Sequence, residues 1–271
     1  MLLGAFAALS LVVGVVVFQI AGVFWLLPAT ALGCFVVLCG LAFVFLLILC
    51  KRVDQSVPQE EDDPLYRTVT NLYIRSVLPV LQFHVEKKGM EKLPKDGRFM
   101  LVCNHCSLAD PIILLYAMPK FQLAFVSKKE NADMFVIGPM MHKILCQLIN
   151  RENDREALKT ILRCIQILKE DKASIGVFPE GGILSDDGKL HRFRPGVFKI
   201  AQKANVPIVV CTMKNTLDSV PNLLHLKPTY VELSVLEVIP AEELKGVTTV
   251  DIAERCYQVM AADMGPEMVA D

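Results

Sequence analysis

The first fifty residues contain no Asp, Glu, Lys, Arg or His, and such a run can fold in few ways. A helix that crosses a hydrocarbon core of about 30 Å needs about 20 apolar residues. Residues 2–26 and 30–50 offer two such lengths, with Pro28 as the natural break between them. A cleaved leader is the competing reading. It fits poorly, because no positive residue opens the chain and the apolar stretch far exceeds a leader's core. Residues 1–50 are therefore expected to form a membrane anchor of two apolar helices. Lys51 and Arg52 come directly after, and basic residues at a helix end favour the cytoplasmic side. The expected location is the cell membrane, with the rest of the chain on its cytoplasmic face.

The chain has 271 residues, enough for one substantial domain beyond the anchor. The stretch DQSVPQEEDDP before residue 65 is polar, acidic and proline-bearing, so 51–64 reads as a linker and 65–271 as the folded unit. Short runs rich in Val, Ile, Leu and Phe at 99–103, 123–127, 174–178, 208–213 and 230–238 are strand candidates. Between them, 154–170 places Leu158, Ile161, Leu162, Ile165 and Leu168 on one helical face. Further helices are expected over 65–81, 197–204 and 250–262. The alternation predicts an α/β fold whose mostly buried central sheet is flanked by helices. Nine scattered cysteines suit a reduced compartment without a disulfide framework. The net charge of -1 says nothing about nucleic acid, but the sequence shows no arginine-rich tract or RNA-binding signature, so nucleic acid is not an expected partner.

Chemistry concentrates in two places. NHCSLADP, residues 104–111, comes after an apolar strand and leads into the apolar run PIILLYAM. Asp110 before Pro111 is a good helix start, the carboxylate capping the helix and the proline at its first position. A cap alone does not call for His105, five residues earlier. In a tight turn the carboxylate can return to the imidazole, leave its other nitrogen as a base, and stabilise the imidazolium that forms. The second place is IGVFPEGGILSDDGKLHRFRPGVFKIA, residues 175–201, where Gly181 and Gly182 come just after a strand. Such a turn either brings backbone amides up to an anion or is an ordinary glycine turn.

Together, NHCSLAD and FPEG resemble the signature blocks of the 1-acylglycerol-3-phosphate acyltransferase family, bacterial type. Asn150 and Arg151 resemble its intermediate block and VPIVV (206–210) its closing strand. The likeness covers most of 99–210, and the uncharged hairpin resembles anchors of bacterial members. The resemblance implies a glycerolipid acyltransferase fold and transfer of a fatty acyl group from an acyl thioester, acyl-CoA or acyl carrier protein, to the sn-2 hydroxyl of a lysophospholipid acceptor. The product would be phosphatidic acid. It implies His105 as the catalytic base, Asp110 as its orienting partner, Glu180 and Gly181 in the acceptor site, and Arg151 on the acceptor phosphate, with neither metal nor other cofactor.

One departure stands out. Many members continue FPEG with Thr, Arg and Ser, whereas this chain continues with Gly182, Ile183, Leu184 and Ser185. Arg192, Arg194 and Lys199 are the nearest replacement cations. Arg194 is the choice, because its FRPG segment returns towards the turn. A different acceptor, glycerol-3-phosphate or a lyso-aminolipid, is the alternative that this departure keeps open. A membrane-bound lipid-binding protein without turnover is another. Cys106 beside His105 invites a Cys-His nucleophile, but neighbouring residues point in different directions.

Overall fold

The computed structural model describes residues 1–184 and 187–270; Ser185 of the departing segment lies outside them. The chain opens with two antiparallel helices, α1 (Leu2–Ala21) and α2 (Leu26–Lys51). The turn between them is at Gly22, whose φ of 67° closes α1 in the left-handed region. The break thus precedes the one expected at Pro28, which lies in the first turn of α2, where a missing backbone N–H costs nothing. Side chains such as Val12, Ile20, Phe24, Val36 and Leu41 point outward. Each would cost about 1.5–3 kcal/mol if left in water, and the two helices associate the chain with a membrane.

Not all of α2 is free to meet lipid. Leu46, Leu49 and Cys50 are buried with Tyr66, Val69 and Met140. Tyr66 lies on α3 (Pro64–Val80), which Asp63 caps by accepting hydrogen bonds from the amides of Leu65 and Tyr66. The two helices run antiparallel: the Tyr66 hydroxyl donates to the Leu49 carbonyl at 3.0 Å, and the Tyr73 hydroxyl donates to the Ala42 carbonyl. The end of the uncharged block therefore belongs to the body.

Beyond α3 the chain alternates strands and helices: β1 (Phe83–Lys88), β2 (Met100–Cys103), α4 (Asp110–Ala117), β3 (Leu123–Lys128), α5 (Ile137–Lys143), β4 (Gln147–Ile149) and α6 (Asp154–Lys169). It continues with β5 (Ser174–Val177), α7 (Lys199–Ala204), β6 (Ile208–Lys214), α8 (Ser219–Leu224), β7 (Thr229–Ile239) and α9 (Thr249–Met264). The seven strands make one sheet in the order β1-β7-β6-β2-β5-β3-β4. Pairing is parallel except between β6 and β7. Residues of β2, β5 and β6 are buried throughout or nearly so, as a sheet covered on both faces requires. The α/β layering predicted from the sequence is the layering found.

The stretch read as a linker is not slack. Arg163 bonds the Gln59 carbonyl and Glu60, Lys143 bonds Gln59, and Lys172 pairs with Glu61. Asp62 sits at 3.0 Å from Arg67, both buried, and the same guanidinium donates to the carbonyls of Leu123 and Ile144. The segment is strapped across the body.

Candidate active site

β2 and β5 are neighbours in the sheet and run parallel, so the loops at their C-terminal ends leave from the same sheet edge. Residues 104–110 succeed β2 and residues 178–182 succeed β5. Adjacency of strands is what brings together two motifs far apart in sequence, at the strand ends where α/β folds bind ligands.

On the β2 side, Asn104 clasps β6: its amide donates to the Met213 carbonyl at 2.8 Å and its oxygen accepts from the Met213 amide at 2.7 Å. The loop is then fixed by Asp110. Its Oδ2 lies 2.9 Å from His105 Nδ1 and accepts the backbone amides of Cys106 at 2.8 Å and Ser107 at 2.9 Å. Asp110 is fully buried. It makes no side-chain cap bond to its own helix. The capping expectation fails because the carboxylate turns back into the loop, whereas at Asp63-Pro64 the same residue pair does cap. With Nδ1 held by the carboxylate, Nε2 is the nitrogen left for a substrate.

On the β5 side, the Phe178 ring stacks on the His105 imidazole, centroids 4.1 Å apart and planes 20° off parallel. Phe125 stacks on Phe178 in turn, at 5.9 Å. Gly176 makes room for that stack, since a Cβ there would stand 2.5 Å from the Phe125 ring. The sequence reading missed Phe178, although an aromatic ring directly after a strand beside a base carries the signal. Glu180 turns inward and is 2% exposed. Oε1 accepts the His105 amide at 2.8 Å and Oε2 the His191 amide at 2.9 Å. Burial pushes its pKa up to about 7, against the opposing pull of those two bonds. Its carboxylate ties the His105 loop to the 187–194 segment, and both oxygens are engaged in doing so.

The glycine turn is built for close approach. Gly181 and Gly182 have φ of 90° and 148°, conformations that side chains disfavour, and the Gly181 amide closes the turn onto the Phe178 carbonyl. Arg194 lies against Gly181, where a Cβ would be 2.6 Å from its Nε; Arg151 lies against Gly182, with Nη1 3.0 Å from such a Cβ. Burial, and then the charge of Arg194, lower the pKa of Arg151. Two guanidiniums so placed suit a bidentate, doubly charged anion. Among the cations named from sequence, the structure brings Arg151 and Arg194 to the turn.

An apolar cavity of about 410 Å³ opens beside this turn. His105, Arg151 and Gly182 line one part of it, while Leu46, Ile74, Met140 and Ile144 line another. All nine cysteines are free. Cys103 and Cys106 bracket Asn104 and His105 at CxxC spacing, but Cys103 is fully buried and burial holds the Cys106 thiol up at about 12. A thiol so far from ionisation is a poor nucleophile.

The acyltransferase family profile matches residues 84–214. A probable 1-acyl-sn-glycerol-3-phosphate acyltransferase of Mycoplasma genitalium is 31% identical over 204 residues, 72% of each chain. A 1-acyl-sn-glycerol-3-phosphate acyltransferase of Chlamydomonas reinhardtii is 31% identical over 184 residues, 67% of this chain and only 53% of that one. The crystal structure of PlsC, the 1-acyl-sn-glycerophosphate acyltransferase of Thermotoga maritima, shares the fold, with a TM-score of 0.62 at 21% identity over 81% of this chain and 85% of that one. Matches of this extent, running through both motifs and across the sheet that unites them, make this chain a member of the 1-acyl-sn-glycerol-3-phosphate acyltransferase family.

Proposed function

We propose that the protein transfers a fatty acyl group from an acyl thioester to the sn-2 hydroxyl of 1-acylglycerol-3-phosphate, making phosphatidic acid. The observation that carries this reading is the convergence of a carboxylate-held histidine, a pair of guanidiniums and an apolar cavity at one sheet edge. His105 Nε2 takes the hydroxyl proton, and the oxygen attacks the thioester carbonyl. The tetrahedral oxyanion then collapses, the C–S bond breaks, and the leaving thiolate takes the proton from the imidazolium. Asp110 keeps the imidazole oriented and favours its charged form. The developing negative charge needs donors placed in advance.

Arg151 and Arg194 hold the acceptor phosphate over the glycine turn. Glu180 and Gly181 serve the acceptor site by shaping that turn, Glu180 through the backbone it clamps. The acyl chain enters the cavity that ends at Leu46. Residues 1–50 anchor the chain, with Leu46–Cys50 packed on the body, and 65–271 form the catalytic domain on the cytoplasmic face. The donor is acyl-CoA or acyl carrier protein, and competition between the two decides which.

The test is purified protein in detergent, offered labelled acyl donors and a panel of lysolipids with phosphate and other head groups. Transfer to 1-acylglycerol-3-phosphate, lost in His105→Ala, is the expected result. No transfer to any acceptor, or transfer by His105→Ala at the wild-type rate, sinks the mechanism. In Arg194→Ala the acceptor KM rises while donor dependence stays put.

A further inference from the structure

Outside the anchor helices, the most exposed large apolar side chains among the described residues are Leu226 at 79% and Leu224 at 77%. Leu224 ends the short helix α8, and Leu226 comes two residues later. His225 and Lys227 beside them are also exposed. A solvated turn has little reason to carry two exposed leucines within three residues, and neither motif nor cavity accounts for them.

Their position does. Ala42 meets Tyr73 and Leu49 meets Tyr66, so moving outward along α2, away from the body and into the anchor, is moving along α3 towards its C-terminal end. Leu2, at the start of α1, donates to Ser76 Oγ on the same stretch of α3. Val80 is seven residues past Tyr73, about 10 Å further in the membrane direction at 1.5 Å per helical residue. It is 62% exposed. Two residues later, Gln82 Nε2 donates to the Leu226 carbonyl at 3.3 Å, and the Gln82 carbonyl accepts the Thr229 amide. Leu226 thus sits where α3 points out alongside the anchor, continuous with the surface that the anchor defines. The other end of the segment reaches the active site, because Ser219 Oγ and Ser107 Oγ are 2.5 Å apart.

We infer that α8 and its exit, with Leu224 and Leu226 at the tip and Val80 beside them, form a second membrane contact that dips into the lipid interface. The occupant is a lipid surface, with Lys227 at head-group level. This contact sets the His105 loop, through Ser107 and Ser219, against the plane from which a lipid acceptor would come.

The full chain carries one tryptophan, Trp25, so Leu224→Trp and Leu226→Trp are each made in a Trp25→Phe background and reconstituted into phosphatidylcholine/phosphatidylglycerol vesicles. Both positions are open enough to accept the ring. Val250→Trp is the control, 60% exposed at the start of α9, past the C-terminal end of β7, whereas Leu226 precedes its N-terminal end. The expected result is blue-shifted emission that vesicles of brominated phosphatidylcholine quench at either tip position, with no such quenching at Val250. If neither tip probe loses emission to brominated lipid beyond the control, the inference is overturned. That holds whether iodide reaches the probes or a second protein surface shields them. The readout does not depend on acyl transfer, so it stands or falls apart from the proposed reaction.

Discussion

Asp-Pro occurs twice in this chain with two outcomes. At Asp63 the carboxylate caps the helix ahead; at Asp110 it turns back onto His105 and two loop amides. Asp110→Asn should keep the fold while kcat drops by about 10²–10⁴, the usual worth of a positioned base, as steady-state kinetics would show. Glu180 gives a pH signature instead. Its pKa rises from 4.5 to about 7 in the folded protein, so between those values the folded state holds a proton that the unfolded state has lost. The contribution is favourable below about 4.5 and is lost as pH rises towards about 7. Measured by thermal unfolding in detergent, wild type should lose ground to Glu180→Gln across that window and run parallel to it above. Parallel curves throughout would mean that Glu180 is not held as described. His105 and Asp110 stood out in the sequence because the NHCSLAD and FPEG blocks around them resemble the family's; their spacing alone left a histidine beside a helix cap equally open. The inward turn of Glu180 was not, since it depends on which backbone amides the fold brings near.

Among the elements, those with an apolar period were readable: the buried strands and α6, whose leucines and isoleucines share a face. β1 was not, because FHVEKK is mostly polar and becomes a strand only by pairing with β7 at the sheet edge. Nor was the division of α2, whose tail is as apolar as the part that meets lipid. Leu46 on that tail lines the same cavity as His105. Leu46→Trp should therefore shift preference to shorter acyl chains and Leu46→Ala to longer ones, read from product profiles with a mixed-chain donor. The strap has its own test. Arg67→Ala leaves Asp62 buried without its charge partner and two carbonyls without donors. A loss of about 3–5 kcal/mol is expected, visible as a much lower unfolding midpoint.

For the molecule as a whole, anchor and body share one small core. A chain starting at residue 42 keeps Leu46, Leu49 and Cys50 over Tyr66, Val69 and Met140. One starting at residue 52 bares them. The first should stay monodisperse in size-exclusion chromatography with less detergent than the second. The fastened strap, finally, bears on how collisions are counted. A catalytic body on a slack tether would sweep a volume and sample its surroundings in three dimensions. This one is bolted to its anchor through Tyr66, Tyr73 and the 59–63 segment, and it moves only as the anchor drifts. Encounters with a lipid co-substrate are then two-dimensional, governed by mole fraction in the leaflet and by lateral diffusion, while a soluble thioester arrives from bulk. Diluting the acceptor with inert lipid at constant bulk concentration slows such an enzyme, and adding more vesicles of the same composition does not speed it.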